Sequence, residues 1–165
     1  MSEPAFSPQA IFAALHRHAV DYVAIGGIAA NAHGSRRLTL DVDIVPAPEK
    51  SNYERLAAAL DELGAPDSAV DSSFRDLDPR DGFDLARAEI VKLTTAAGDL
   101  DLLNAALGAP PYGELRRRAI DVEVRGTPIR IASLDDLIAM KRASGRPQDL
   151  RDIGELTGPG ESPPE

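Results

Sequence analysis

Residues 37–45, with the sequence RLTLDVDIV, place two aspartates inside a segment whose other residues are typical of a β-strand. Polar and apolar side chains alternate along it, and successive side chains in a strand point to opposite faces. Carboxylates are almost never fully buried unless they are paired with a cation. The segment therefore predicts a strand with one wet face, or a strand that presents its carboxylates to a cation.

The polar face of this predicted strand carries Arg37, Thr39, Asp41 and Asp43. Two carboxylates two residues apart repel each other, so they need solvent, the Arg37 guanidinium or a divalent ion nearby. Oxygen ligands on a rigid strand suit Mg²⁺, which takes one or two carboxylates together with substrate phosphates. Amphipathic strands are also common in antiparallel sheets, so a polar face that meets only water stays open as an alternative.

Two adjacent glycines, Gly26 and Gly27, directly follow the apolar segment YVAI and precede a predicted helix. Glycines at a strand-to-helix turn let backbone N–H groups approach a phosphate. A tight turn without a ligand would use the same residues. The pair therefore indicates a phosphate site only in combination with other features.

A second acidic strand is predicted by GDLDLLN, in which Asp99 and Asp101 share one face. If this strand lies beside the first, one of these carboxylates completes a cluster of three; a hairpin with an acidic turn is the alternative. Lys141 is set among apolar residues in a predicted helix at 134–143. Its ammonium could reach a phosphate, although lysines at helix surfaces commonly bury only their stems.

The whole pattern predicts one α+β unit, with a mixed β-sheet flanked by helices and a single domain at 1–157. The predicted helices lie at 7–19, 28–34, 51–63, 112–119, 133–143 and 147–156, with Ser51 and Glu54 as a capping box. The predicted strands are 22–25, 37–45, two strands within 89–104, and a hairpin at 120–133 that turns at Gly126 and Thr127. Residues 65–87 are expected to be loop with a short helix or strand, and the Pro- and Gly-rich tail at 158–165 is expected to be disordered.

Composition restricts the classes of function. The 165 residues contain no cysteine, which excludes disulfides and thiolate metal sites. The sequence has neither the roughly 20 apolar residues of a membrane span nor the pattern of a signal peptide, so a soluble cytoplasmic protein is expected. The net charge of −9 argues against a sequence-blind nucleic-acid binder. An acidic protein can still handle polyphosphate when metal ions lie between carboxylates and phosphates.

Taken together, these motifs resemble a known superfamily. Two glycines, then Asp-Val-Asp, then a later Leu-Asp-Leu are similar to the pattern of nucleotidyltransferases with the DNA polymerase β-like fold. The longer segments GGIAANAHGSRRLTLDVDIV, GDLDLL and LIAMKRASGRPQDLRDI resemble the AbiEii/AbiGii and MenT-like nucleotidyltransferases, many of which are toxins of bacterial toxin–antitoxin systems. The resemblance covers most of residues 22–153, and it implies the polymerase β-like fold.

The resemblance also implies roles for individual residues. Asp41 and Asp43 would bind two Mg²⁺ ions, and Asp101, in its slot between two leucines, would be the third carboxylate. Gly26 and Gly27 would hold the triphosphate of an NTP. The remaining residues that match the family's motifs and would contact the triphosphate are Arg37, Thr39, Lys141 and Asp149.

The implied reaction is transfer of a nucleoside monophosphate from an NTP to an acceptor hydroxyl. Two metal ions would clamp the attacking and leaving oxygens, Asp101 or Asp43 would help to deprotonate the acceptor, and Arg37 and Lys141 would offset the triphosphate charge. The expected acceptor is the 3′ end of tRNA, or else a protein hydroxyl, and the expected partner is a cognate antitoxin. Two alternatives are an inactive nucleotidyltransferase fold that only binds, and an aminoglycoside-type enzyme that modifies a small molecule.

Overall fold

The computed structural model describes residues 6–65, 69–71 and 76–157, and these residues form seven helices and eight strands. In chain order the elements are α1 (Pro8–Arg17), β1 (Tyr22–Ile25), α2 (Gly26–Ala32), β2 (Asp41–Pro46), α3 (Lys50–Glu62), β3 (Ala69–Asp71), β4 (Asp76–Leu77), α4 (Gly82–Arg87), β5 (Ile90–Thr95), β6 (Gly98–Leu103), α5 (Tyr112–Arg118), β7 (Ile120–Val124), β8 (Thr127–Ile131), α6 (Leu134–Ser144) and α7 (Pro147–Thr157). The predicted tail at 158–165 lies outside the described residues.

The described strands form one mixed sheet in the order β4-β3-β5-β6-β2-β1-β8-β7. β2 pairs with β6 and β1 pairs with β8 in parallel, whereas the other neighbours are antiparallel. Parallel neighbours need crossover connections, and the crossover from β2 to β6 contains α3 and α4. The predicted α+β class with a mixed sheet flanked by helices is therefore confirmed.

The main hydrophobic core packs α1 and α3 against the sheet. Fully buried members are Ile11, Phe12 and Leu15 of α1, Leu56 and Leu60 of α3, and Ile44, Leu100 and Leu102 of the central strands. Helix α1 begins as predicted, because the Ser7 hydroxyl accepts a hydrogen bond from the backbone N–H of Ala10. Within the described residues, no helix has the length and apolar character needed to cross a membrane.

The first acidic strand is shorter than predicted, since β2 begins at Asp41 and not at residue 37. β1 ends at Ile25, opposite Asp43, and β6 begins at Gly98, one residue before the partner of Asp41. Residues 37–39 therefore extend past both neighbouring strands. Leu38 and Leu40, which alternation along the predicted strand would place on the face opposite the aspartates, have exposed fractions of 79% and 65%.

Two smaller expectations were also wrong. α3 starts at Lys50 with Glu49 as its N-cap, so Ser51 lies inside the first turn and does not form the predicted capping box with Glu54. The β7–β8 hairpin turns at Arg125 and Gly126, one residue earlier than predicted, with φ angles of 49° and 83°. Between residues 65 and 87 the described structure has two short strands, β3 and β4, and one short helix, α4, as the expectation of loop with a short helix or strand allowed.

Candidate active site

The parallel pairing of β2 and β6 brings the predicted carboxylates together. Asp43 lies opposite Asp101, and Asp41 lies opposite Asp99. One carboxylate oxygen from each of Asp41, Asp43 and Asp101 lies within 4.8 Å of the other two. Asp99 is exposed and outside this group, so the structure brings together the same three aspartates that the resemblance selected. We call these three residues the carboxylate triad.

Burial and mutual repulsion make the charged forms of the triad carboxylates unfavourable. Burial raises the pKa of Asp43 to about 7, and the neighbouring charges of Asp41 and Asp101 add to the increase. Burial also raises the pKa of Asp101, an effect that the Lys92 ammonium opposes. Like charges this close together disfavour full ionisation. At neutral pH the triad must therefore share a proton or neutralise its charge with a cation.

The donors of the triad fit a hard divalent cation. All three side chains offer carboxylate oxygens, and oxygen is the ligand atom that Mg²⁺ prefers. Lys92, whose Nζ lies 3.9 Å from Asp101 Oδ2, has an exposed fraction of 71% and supplies only one solvated charge. Three carboxylates against one exposed ammonium leave a net negative site that a divalent ion would balance.

Gly26 and Gly27 are the first two residues of α2 and lie against the polar side chains that follow them in sequence. Gly26 has φ +66°, and a Cβ atom there would overlap the Asp43 carboxylate. A Cβ atom on Gly27 would lie 2.5 Å from the Thr39 hydroxyl. Both positions therefore require glycine for close packing around the triad, whatever else they bind.

Three cations line the same cleft as the triad: Arg37 from the loop at 35–40, Lys141 from α6, and Arg146 from the connection between α6 and α7. Lys141 Nζ donates to Asp152 Oδ2 at 2.9 Å and lies 3.8 Å from Asp149 Oδ1. Arg37 pairs with the same Asp152 oxygen at 2.8 Å, and Arg146 pairs with Asp149 at 2.8 Å. Lys141, Asp149 and Asp152 are buried, so the two α7 carboxylates fix the positions of three cations.

The two α7 carboxylates are ionised because of these partners. Burial by itself would raise the pKa of Asp149, but hydrogen bonds from Arg146 and Ser144 hold it below its usual value. Burial would likewise raise the pKa of Asp152, and hydrogen bonds from Lys141 and Gln148 lower it. Each carboxylate thus supplies a full negative charge to the cations around it.

The triad and the cations line one cleft of about 700 Å³. All nine predicted site residues lie on its walls: Gly26, Gly27, Arg37, Thr39, Asp41, Asp43, Asp101, Lys141 and Asp149. The structure brings this complete set together, although Arg37 and Thr39 reach it from a loop and not from the predicted strand.

Sequence reasoning missed three charged residues in the cleft, namely Lys92, Arg146 and Asp152. Asp152 follows Asp149 by three residues and so shares a helix face with it, a signal that the sequence offered. Lys92 lies opposite Asp101 in the β5–β6 register, a signal that needed the exact strand pairing.

No family model matches the sequence, and no curated protein matches it either. The comparison of structures instead shows the fold, which this chain shares with solved nucleotidyltransferases. The lincosamide antibiotic adenylyltransferase LnuA, solved with lincomycin bound, matches with a TM-score of 0.61 and 15% identity, over 93% of this chain and 98% of its own.

Two further structures share the fold. ANT(2″)-Ia in complex with adenylyl-2″-tobramycin matches with a TM-score of 0.57 and 17% identity, over 91% of this chain and 88% of its own. A nucleotidyltransferase-like protein from Paracoccidioides brasiliensis matches with a TM-score of 0.53 and 16% identity, over 93% of this chain and 77% of its own. Such low identity shows the fold alone, so the predicted nucleotidyltransferase fold is confirmed. Membership of the AbiEii/AbiGii and MenT-like group stays a prediction.

Proposed function

We propose that this protein is a Mg²⁺-dependent nucleotidyltransferase that transfers a nucleoside monophosphate from an NTP to an acceptor hydroxyl and releases pyrophosphate. The observation that carries the proposal is the carboxylate triad, which shares one cleft with the buried Lys141 and with Arg37 and Arg146, three cations that the buried α7 carboxylates hold in place. A negatively charged triad suits metal ions, and the opposite cations suit the phosphates that those ions would bridge. The shared fold supports the same class of reaction.

The three aspartates Asp41, Asp43 and Asp101 would hold the metal, two ions being expected. Bound Mg²⁺ would supply Lewis acidity at the α-phosphate and offset charge on the leaving pyrophosphate. Arg37 and Lys141 would bind phosphate oxygens, and Gly26 and Gly27 would leave room for the triphosphate to approach the triad.

In the proposed reaction the acceptor oxygen attacks the α-phosphorus and the bond to the bridging oxygen of pyrophosphate breaks. The proton of the acceptor hydroxyl passes to Asp101. Thr39 would orient Asp41, because its hydroxyl lies 3.2 Å from the Asp41 carbonyl oxygen and 3.5 Å from Asp41 Oδ1. Asp149 and Asp152 would keep the phosphate-binding cations in place.

The 3′ end of tRNA is the acceptor we propose first, with the protein acting as the toxin of a toxin–antitoxin pair. This part of the proposal rests on the sequence resemblance to AbiEii/AbiGii and MenT-like proteins. Arginines at 116–118 offer basic groups for RNA, but two of them already have acidic partners: Arg116 pairs with Asp21, and Arg118 pairs with Glu114 and Asp136.

A small-molecule acceptor is the second candidate, and the structural neighbours favour it. LnuA was solved with lincomycin and ANT(2″)-Ia with an adenylylated tobramycin. The match to LnuA covers 98% of that chain, so a fold of this extent accommodates an antibiotic adenylyltransferase.

A binding and transfer assay tests the proposed function. Purified protein is incubated with each α-³²P-labelled NTP and Mg²⁺, together with total tRNA or a panel of hydroxylated small molecules. Asp41→Asn and Asp43→Asn should abolish transfer, and activity that survives both substitutions would refute the proposal. Label on RNA would support the tRNA acceptor, and label on a small molecule would support the second candidate. NTP binding without transfer to any acceptor would indicate an inactive binding protein.

A further inference from the structure

An apolar part of the cleft lies next to Asp101, in addition to the exposed Leu38 and Leu40, which line the cleft from the loop at 35–40. Ile90 and Leu103 are paired across β5 and β6, two residues along from the pair of Lys92 and Asp101. Residues two apart in a strand share a face, so Ile90 and Leu103 adjoin the triad on its open face. Both side chains are partly exposed and line the cleft.

The loop after β6 extends this wall with an exposed leucine. Leu107 lines the cleft with an exposed fraction of 71%. The next residue, Gly108, has φ +81° and packs so closely on α6 that a Cβ atom would lie 2.6 Å from the Ala143 Cβ and 2.8 Å from the Ala139 carbonyl oxygen. Tight packing of its neighbour therefore holds Leu107 at the mouth of the cleft. We call Ile90, Leu103 and Leu107 the apolar wall.

The strand order separates this wall from the anchors of the triphosphate. Gly26 and Gly27 follow β1, which lies on one side of β2, whereas β6 and then β5 lie on the other side. Ile90 and Leu103 are thus on the β6 side of Asp43, next to the carboxylate that would take the acceptor's proton. If an acceptor molecule places its hydroxyl at Asp101 from this side, the rest of the molecule would contact the apolar wall.

Charge restricts the kind of molecule that fits. Among the described residues of the cleft, the carboxylates other than the triad are Asp149 and Asp152, and each is bonded to cations. Beside the apolar wall, the charged group that lines the cleft is the ammonium of Lys92. The exposed Asp99 precedes Asp101 on the same face of β6, on the side away from Leu103, and does not line the cleft. Once metal ions occupy the triad, an amine on an acceptor that lies on the apolar wall would meet the positive charge of Lys92.

We propose that the apolar wall and Lys92 form an acceptor subsite for a small alcohol that has an apolar face and carries no positive charge. This inference rests on the proposed nucleotidyl transfer; it takes up the second candidate acceptor, a small molecule, and names its chemical class. The cleft volume of about 700 Å³ lies within the roughly 300–1,000 Å³ typical of small-ligand sites, which suits a nucleotide and a small acceptor together. The subsite disfavours polyamine acceptors.

Methyl NMR with matched glucosides tests the subsite. The probes are hexyl β-D-glucoside, methyl β-D-glucoside, which lacks the apolar tail, and hexyl β-D-glucosaminide, which adds one positive charge. Each is titrated with and without Mg²⁺ and α,β-methylene-ATP, while the Ile90, Leu103 and Leu107 methyl signals report the subsite.

We expect hexyl glucoside to bind about tenfold more tightly than methyl glucoside because part of its tail is buried. We expect the glucosaminide to bind less tightly than hexyl glucoside, and Lys92→Gln should remove that difference.

Two leucine variants give the matched control. Leu107→Ser should weaken hexyl glucoside binding about fivefold, by loss of buried apolar area. Leu150→Ser should leave it unchanged, because Leu150 is also exposed, at 55%, but lies on α7 outside the lining of the cleft. Equal binding of the hexyl and methyl glucosides, or equal effects of the two substitutions, would overturn the subsite.

Further outcomes separate this inference from the proposed function. The Met140 methyl, which lines the cleft from α6, reports the nucleotide. Nucleotide binding without any hexyl glucoside binding would overturn the subsite and leave the proposed function standing. Hexyl glucoside binding at the wall without nucleotide binding would refute the proposed function and, with it, the acceptor role of the subsite, and would leave only an apolar binding site. Saturable shifts of the wall methyls by total tRNA, with none by hexyl glucoside, would overturn the small-molecule class in favour of RNA.

Discussion

At the scale of single residues, the candidate site is defined by three carboxylates that lie close together although their negative charges repel one another. The raised pKa of Asp43 and the short separations within the triad have the same cause, namely burial of like charges. The sequence was sufficient to select Asp101 over Asp99, because the resemblance favours an aspartate between two leucines. The sequence could not show Lys92 beside Asp101, since that contact depends on the β5–β6 register.

The Asp43→Asn substitution should stabilise the metal-free protein at high pH. Because the pKa of Asp43 is raised to about 7, protonated Asp43 favours the folded state, and this stability is lost as the pH rises from about 4 to about 7. Above pH 7 the variant should exceed the wild type by about 1–2 kcal/mol in free energy of unfolding, with little difference at pH 4.

Urea denaturation in EDTA at pH 4 and pH 8 measures this effect. Added Mg²⁺ at pH 8 should stabilise the wild type more than the variant, because metal binding replaces the lost proton. A stability difference that does not change with pH would contradict the account of Asp43.

The Gly26→Ala substitution should weaken both folding and Mg²⁺ binding. It places a side chain at a positive φ and drives a Cβ atom into the Asp43 carboxylate. Gly126→Ala is the control, because Gly126 has a positive φ of 83° and open space around its added Cβ within the described structure. Backbone strain at a positive φ should lower the unfolding free energy of each variant by about 1–2 kcal/mol. Overlap of the added Cβ atom with Asp43 should lower that of Gly26→Ala further.

Calorimetric titration with Mg²⁺ distinguishes the two glycine variants. Gly126→Ala should retain the Mg²⁺ affinity of the wild type, whereas Gly26→Ala should lose most of it. Equal stability losses together with equal Mg²⁺ affinities would show that Gly26 has no special role at the triad.

At the scale of elements, the cleft depends on how α6 and α7 are joined. The buried Lys141 of α6 pairs with Asp152 and Asp149 of α7, and the loop at 35–40 joins the same group through Arg37. Both helices were predicted closely, because Ser133 and Pro147 mark their starts. The strand at 37–45 was predicted too long, because alternation describes a residue pattern and cannot show where neighbouring strands end.

Substitution of Lys141 and substitution of Asp152 should each lower the unfolding free energy, and the two losses should not be additive. Lys141→Met leaves Asp149 and Asp152 buried with fewer partners, and loss of one partner of a buried pair costs about 3–5 kcal/mol. The double substitution with Asp152→Asn should therefore cost less than the sum of the single substitutions.

A double-mutant cycle by urea denaturation measures this coupling. The exposed Lys50–Glu54 pair of α3 is the control, with side-chain exposed fractions of 92% and 61% and an expected coupling of about 0–1 kcal/mol. Additive losses for Lys141 and Asp152 would contradict their assignment as one buried unit.

At the scale of the whole molecule, the strand order assembles the site from distant parts of the sequence. β1, β2 and β6 are neighbours in the sheet, so the glycines, the first two aspartates and Asp101 meet along one face. The mixed sheet, and the grouping of the candidate site residues in one cleft, could be predicted because the sequence contains recognisable motifs for them. The eight-strand order could not, because short strands such as β3 and β4 carry too little pattern to assign.

The proposed role of the carboxylate triad in nucleotidyl transfer can be tested by comparing Asp101→Asn with Asp99→Asn. The assay uses α-³²P-labelled NTPs, Mg²⁺ and the two acceptor classes, tRNA and small molecules. Both residues lie on β6 and share a face, but Asp101 belongs to the triad and Asp99 does not. We expect Asp101→Asn to lower the transfer rate at least about 100-fold, because it removes a metal ligand and base, whereas Asp99→Asn should stay near the wild-type rate. Equal rates in the two variants, or no transfer by the wild type to any acceptor, would contradict the proposed role of the triad.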